Sequence, residues 1–200
     1  MKTGEKTKER LMEEALELFV RRGYHGTTID NIVRKVGLTK GAFYSHFPSK
    51  GSLLLEIIER YKTRSLGKLI RISTINPGTA LEKLHQIISF NARFALQNEN
   101  LCVFLTFLTT ELKTDVEFEH ALKAVYRQYT EYIAALIREG ISQGLLKEKL
   151  DPELAAITFL ALHDGILHQW ILNRDLIDAE EYVRTFRTVF FNGILKDVKR

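Results

Sequence analysis

Apolar residues recur at helical spacing along almost the whole chain, and this periodicity confines it to an all-α fold. Leu11, Ala15, Leu18 and Phe19 form one stripe on a helix from about Lys6 to Arg22, which Gly23 stops. Thr28 caps a second helix whose Ile29, Ile32 and Val33 share a face, and Gly37 ends it early. Thr39 caps a third, about Lys40 to Phe47, which Pro48 closes. A connector helix is expected from about Lys50 to Ile72. Asn76-Pro77-Gly78 marks a break, and Thr79-x-x-Glu82 and Thr114-x-x-Glu117 read as capping boxes. Asp151-Pro152 and Asp178-x-x-Glu181 open the last two helices. The count is about nine helices, with no alternating strand and no repeating period of the kind that builds a solenoid.

Charge divides this pattern unevenly. Residues 1–50 hold 10 Lys and Arg against 6 Asp and Glu, whereas residues 51–200 hold 19 of each. The whole net charge of +4 therefore sits in the first quarter, which suits a polyanionic partner there. The expected division is a small basic domain over 1–50 and a larger helical domain over 51–200. No apolar run approaches the length of a membrane span, and MKTGEKTKER lacks the apolar core of a secretory signal. With Cys102 as the single cysteine, a cytoplasmic, nucleoid-associated protein without disulfides is expected, and no membrane partner.

Three short helices with a tight turn, Lys35-Val36-Gly37-Leu38-Thr39, describe a helix-turn-helix. On the third helix Phe43 and Phe47 lie four apart and face inward. Lys40, Gly41, Tyr44 and Ser45 then fall on the outward arc, with Ala42 and His46 at its edges. Lys40 suits guanine edges or phosphate, and the small Gly41 and Ala42 allow close approach to a major groove. Tyr44 and His46 suit phosphate oxygens. Thr28, Thr39 and Lys50 stand at helix starts, where backbone N–H groups favour a phosphate.

The run Thr27-Thr28-Ile29-Asp30-Asn31-Ile32, followed by Val36 to Lys50 (VGLTKGAFYSHFPSK), resembles the signature of TetR/AcrR-type repressors, as does GYHGTT over residues 23–28. The resemblance covers about residues 10–55. Val33 and Val36 stand where the family often has alanine, and Gly51 where it often has glutamate. It implies that Lys40 and Ala42 approach bases while Thr27, Thr28, Thr39, Tyr44, His46 and Lys50 hold phosphates. It also implies a larger C-terminal helical domain with a ligand cavity, and a homodimer formed through the last two long helices.

The later residues permit this. The helix at about 151–173 is apolar on more than one face, as is the last one, so Phe159, Leu162, Ile166, Trp170, Phe186 and Phe190 are expected at the dimer interface. Polar groups among aromatics nominate Phe90, Asn91, Phe94, Phe107, Thr110, Tyr126, Tyr129, Asp164 and His168 as cavity lining for a small hydrophobic or amphipathic effector. No arginine pair is expected to converge there, Arg93 and Arg127 lying on different helices, which argues against a phosphorylated sugar. His163 and His168 are five apart, roughly 140° round a helix, and do not converge on one ion. Neither a metal, a cofactor nor a catalytic constellation is expected. The function implied is a ligand-responsive repressor on a pseudo-palindromic operator; the alternative is a ligand-free architectural or cell-division factor with the same fold.

Overall fold

The computed structural model describes residues 3–75, 78–111, 116–173, 175–176 and 178–196; the side chains of Thr3, Phe107, Thr109, Thr110, Glu111, Val116, Glu117 and Ala179 lie outside that description. Helices α1 (Thr3–Arg22), α2 (Ile29–Val36) and α3 (Lys40–Tyr44) come first. A long element follows, built from α4 (Lys50–Lys62), a π-helical stretch (Thr63–Gly67) and α5 (Lys68–Ile75). Then come α6 (Ala80–Gln97), α7 (Glu99–Glu111), α8 (Val116–Ser142), α9 (Pro152–Leu172) and α10 (Ala179–Ile194). Taking the interrupted element as one, nine helices are described, matching the periodicity. An antiparallel bridge joins Leu146 to Leu195. Among the described residues no helix is long and apolar enough to cross a membrane.

Local chemistry explains most of the boundaries. Thr28, Thr39, Thr79, Asp151 and Asp178 all cap as expected, each side chain accepting a bond from a first-turn N–H. Gly37 takes φ 69°, and the Leu38 N–H reaches the Val33 carbonyl at 2.9 Å, closing α2 with a left-handed turn. Two expectations need correction. The third helix ends at Tyr44 and reaches Phe47 only through a turn. The connector is not one α-helix: its hydrogen bonds widen over Thr63–Gly67, where Ser65 and Leu66 are buried. The Thr114-x-x-Glu117 box and the Asn76-Pro77 break lie outside the described residues.

The chain forms two compact units, whose limits differ from the boundary expected at residue 50. The first joins residues 1–63 to residues 99–122; the second joins residues 64–98 to residues 123–200. In the first, Leu11, Ala15, Ile32, Phe43, Leu53 and Leu54 have no accessible surface. Helix α7 packs on α1, and the Phe104 ring stacks on Phe19 with centroids 5.4 Å apart. Phe118 meets Tyr24 edge-on at 5.4 Å. A Cβ at residue 51 would come within 3.1 Å of the tip of the Phe118 ring, so a side chain at the start of α4 would require that ring to shift. Part of what periodicity assigned to a C-terminal domain is thus core of the unit carrying the helix-turn-helix. In the second unit Phe159, Phe186 and Phe190 form one aromatic cluster, with centroid separations of 5.1, 5.1 and 6.0 Å.

Phe104→Ala is expected to cost about 3 kcal/mol of stability, the usual penalty for a large buried aromatic. Urea unfolding measures this. Because Phe104 supports α1, the same variant should bind DNA less well, although the residue lies far along the chain from the helix-turn-helix.

Candidate nucleic-acid interface

A five-residue helix is too short to persist by its own hydrogen bonds, so α3 depends on what it buries. Phe43 is fully buried and Phe47 nearly so, their centroids 5.6 Å apart, and the Lys8 ammonium lies 5.6 Å over the Phe47 ring. This anchorage leaves the opposite arc to solvent. Lys40, Gly41, Tyr44 and Ser45 are exposed, with Ala42 and His46 half-buried at the margins, as the spacing predicts. The Ser45 hydroxyl donates to the Ala42 carbonyl at 2.8 Å, turning it back on the helix.

The Lys40 ammonium is held by the Asp30 carboxylate at 2.9 Å, and this pairing raises its pKa above the ordinary lysine value. Asp30 was not singled out by residue type. Its signal is positional, because α2 and α3 bring residues ten apart onto one surface. Thr28 and Thr39 are exposed, but their hydroxyls serve as caps, Thr28 sharing a reciprocal box with Asn31.

Thr27 and Lys50 sit differently from the surface residues. Thr27 is fully buried, its hydroxyl 2.9 Å from the Gly23 carbonyl and 3.2 Å from that of Leu18. The Lys50 ammonium donates to the carbonyls of Tyr24 and Thr27, both at 2.7 Å, and lies 4.1 Å over the Tyr24 ring. Burial pushes its pKa below the ordinary lysine value. The amine stitches the start of α4 to the α1–α2 loop. Elsewhere in this unit the acids of α1 are met by bases: Glu14 and Glu17 by Lys35, and Glu5 and Glu9 by Arg60.

Of the residues expected to line a cavity, those described in the second unit are placed as follows. Phe90 and Phe94 pack on each other at 5.9 Å, and Tyr129 is buried. The Tyr126 hydroxyl donates to Asp164 at 2.9 Å, and the His163 ring stands 3.3 Å from the other carboxylate oxygen. Burial first, and the Asp164 charge second, push the Tyr126 and Tyr182 phenols well above their usual range, so both remain protonated. Asn91 lines a cavity with His163, Trp170 and Tyr182, but its volume is about 30 Å³, room for roughly one water molecule. His168 is half-buried on α9, and the side chains of Phe107 and Thr110 lie outside the described residues. No group of three or more His, Cys, Asp or Glu among the described residues is placed to hold a metal.

Lys50→Met should lower stability by about 2 kcal/mol, because two part-buried carbonyls lose a charged donor. Its DNA binding, once corrected for the folded fraction, should keep the wild-type dependence on salt. A salt titration by fluorescence anisotropy, alongside urea unfolding, separates the two effects; a flattened salt slope would mean that Lys50 meets phosphate.

Comparison with known proteins agrees with this geometry. Residues 11–57 match the model of bacterial regulatory proteins of the tetR family, and residues 80–190 match the C-terminal model of BetI-type transcriptional repressors. The uncharacterized HTH-type transcriptional regulator YerO of Bacillus subtilis is 43% identical over 182 residues, covering 87% of this chain and 60% of that protein. A transcriptional regulator from Saccharomonospora viridis, solved in complex with choline, superposes with a TM-score of 0.83 at 22% identity, covering 96% of this chain and 100% of that one. FadR of Bacillus subtilis, solved with stearoyl-CoA, superposes with a TM-score of 0.79 at 22% identity, covering 92% and 98%. With both parts of the chain matched in register and the helix-turn-helix formed as its residues require, this protein belongs to the tetR family of DNA-binding transcriptional regulators.

Proposed function

We propose that this regulator is a ligand-responsive repressor that binds a pseudo-palindromic operator as a homodimer and releases it when a small amphipathic or hydrophobic effector binds the second unit. One observation carries the DNA-reading part: the outward arc of α3 is small, polar and basic over a fully buried Phe43. Lys40 and Ala42 approach bases, while Thr28, Thr39, Tyr44 and His46 hold phosphates. Thr27 and Lys50 act one layer deeper, by fixing the backbone that presents these groups. Asp30 limits where the Lys40 ammonium can reach.

Gly41 supports the same reading. A Cβ there would meet nothing among the described residues closer than the Thr39 hydroxyl at 3.8 Å, so the fold does not demand glycine. A groove wall pressed against the backbone does. Gly41→Ala should therefore leave the protein as stable as wild type, or up to about 1 kcal/mol more so. It should nonetheless lose roughly tenfold or more in operator affinity, within the range of one lost base contact. Calorimetry and a gel-shift titration measure the two quantities, and an alanine variant that bound DNA normally would remove Gly41 from the interface.

The dimer is assigned to a face other than the one first expected. Phe159, Phe186 and Phe190 are buried within their own chain, so they have no surface left for a partner, and Leu162, Ile166 and Trp170 are half-buried. Leu154 is 62% exposed, Ile157 52% and Leu172 63%; with Ala161 and Gly165 they fall on one side of α9, and Val189 of α10 is 61% exposed. A Cβ at Gly165 would meet nothing within 4 Å among the described residues. A mid-helix glycine costs about 1 kcal/mol against alanine, so close approach of a second helix gives it a purpose. Ile157→Glu should yield folded monomers by sedimentation velocity and circular dichroism, whereas Phe159→Glu should unfold. A dimer that survives Ile157→Glu would place the interface elsewhere.

For the effector, the BetI-type match and the ligands held by the two solved regulators support a bound small molecule. Such a ligand shifts the equilibrium only by binding the released state better than the DNA-bound one. The small cavity at Asn91 favours the second reading, a ligand-free architectural factor. Operator release in a screen of apolar and amphipathic compounds decides between them.

A further inference from the structure

Helices α6 and α10 pack together in the second unit, and between them runs a solvent-open groove of about 610 Å³. This volume falls within the range of small-molecule sites. Arg93 of α6 and Arg184 and Arg187 of α10 line it, against a single acid among the lining residues, Glu180. No ion pair among the described residues ties any of the three guanidiniums to a carboxylate. The Arg187 Nη2 donates to the His85 carbonyl at 3.2 Å and to the Ser89 hydroxyl at 2.5 Å, which fixes the guanidinium, while its Nε is buried with no partner among the described residues. A guanidinium held this way on one edge is a fixed positive charge at the groove, and a fixed guanidinium favours an oxyanion over a neutral ligand. His85 adds no charge of its own: burial, and next the Arg187 charge, hold its pKa below the ordinary histidine value.

Besides Ser89 and Thr188, the remaining lining is apolar: Ala92, Leu96 and Val183. Ala92 and Leu96 also border the small cavity at Asn91, whose far side is Ile166, Leu167 and Trp170. A cationic groove thus adjoins an apolar floor. We infer that this groove binds an amphipathic anion, its carboxylate or phosphate oxygens between Arg93, Arg184 and Arg187 and its apolar body along Leu96 and Val183 toward Trp170. The inference rests on the ligand-responsive reading and narrows it to a class of effector. It also reverses the expectation that no arginines converge in this part of the chain. Arg93 does stand alone in its own helix; its companions come from α10, about ninety residues later.

The test uses the full chain, three probes with the same ten-carbon tail (decanoate, decyl phosphate and decyltrimethylammonium) and isothermal titration calorimetry. At least one of the two anions should bind, and which one does identifies the head group; the cation should bind at least tenfold more weakly. Arg93→Ala combined with Arg184→Ala, both exposed positions, should weaken anion binding at least tenfold without moving the melting temperature of the free protein. Cation binding as tight as that of the anions, unchanged anion binding by the double variant, or no anion binding at millimolar concentration would overturn the inference. Operator release measured on the same samples separates the two readings. An anion that releases DNA equally from wild type and double variant overturns the groove and spares the ligand-responsive function. An anion whose binding needs the arginines but leaves DNA bound upholds the groove and overturns that function.

Discussion

Burial of Phe43 beneath a helix of only five residues is the constraint on which the DNA-reading surface depends. So short a helix gains too little from its own hydrogen bonds to stay formed in water. Its geometry is therefore lent by neighbours: Phe47 beside Phe43, the cap at Thr39, and the left-handed turn at Gly37. Beneath these, Lys50 ties the start of α4 to the carbonyls that precede α2, and α7 braces α1 through the Phe19–Phe104 stack. The exposed arc can then be small and polar, because none of its residues is needed to hold it in place.

This layering separates two kinds of basic residue. Lys40 is exposed and paired laterally to Asp30, a contact weak enough in water to be exchanged for a nucleic-acid acceptor. Lys50 is half-buried and satisfied by backbone carbonyls, and it contributes by ordering the scaffold. Both carry one positive charge in the sequence, and the difference lies in desolvation. The basic excess in the first quarter is therefore an overcount of groups free for phosphate, since Lys8, Lys35 and Lys50 are all engaged within the unit.

What could be read from the sequence was what is decided within a few residues. Caps at Thr28, Thr39, Thr79, Asp151 and Asp178 and the turn at Gly37 are local chemistry, and each fell where its residue type and spacing placed it. The buried pair Phe43 and Phe47 followed from a spacing of four. The partner of an apolar stripe, by contrast, is a choice made across the chain. Periodicity showed that α7 and α9 have buried faces, without telling whether α7 lies on α1 or whether Phe159 meets its own α10 or a second copy. The acceptors of Lys50 are backbone carbonyls 23 and 26 residues away, which leave no mark on side-chain pattern. The same holds for Arg93 with Arg184 and Arg187, joined only by the packing of α6 on α10. The π-helical stretch after Lys62 has no glycine or proline at its start to announce it.

The central claim, that paired copies read DNA through the outward arc of α3, is tested most directly by selecting bound sequences from a random duplex library and footprinting the enriched site. The account predicts an inverted repeat, with major-groove guanine contacts in each half-site that vanish when Lys40 is replaced by alanine. Enrichment of no repeat, or of a site whose major-groove contacts are indifferent to Lys40, would contradict it.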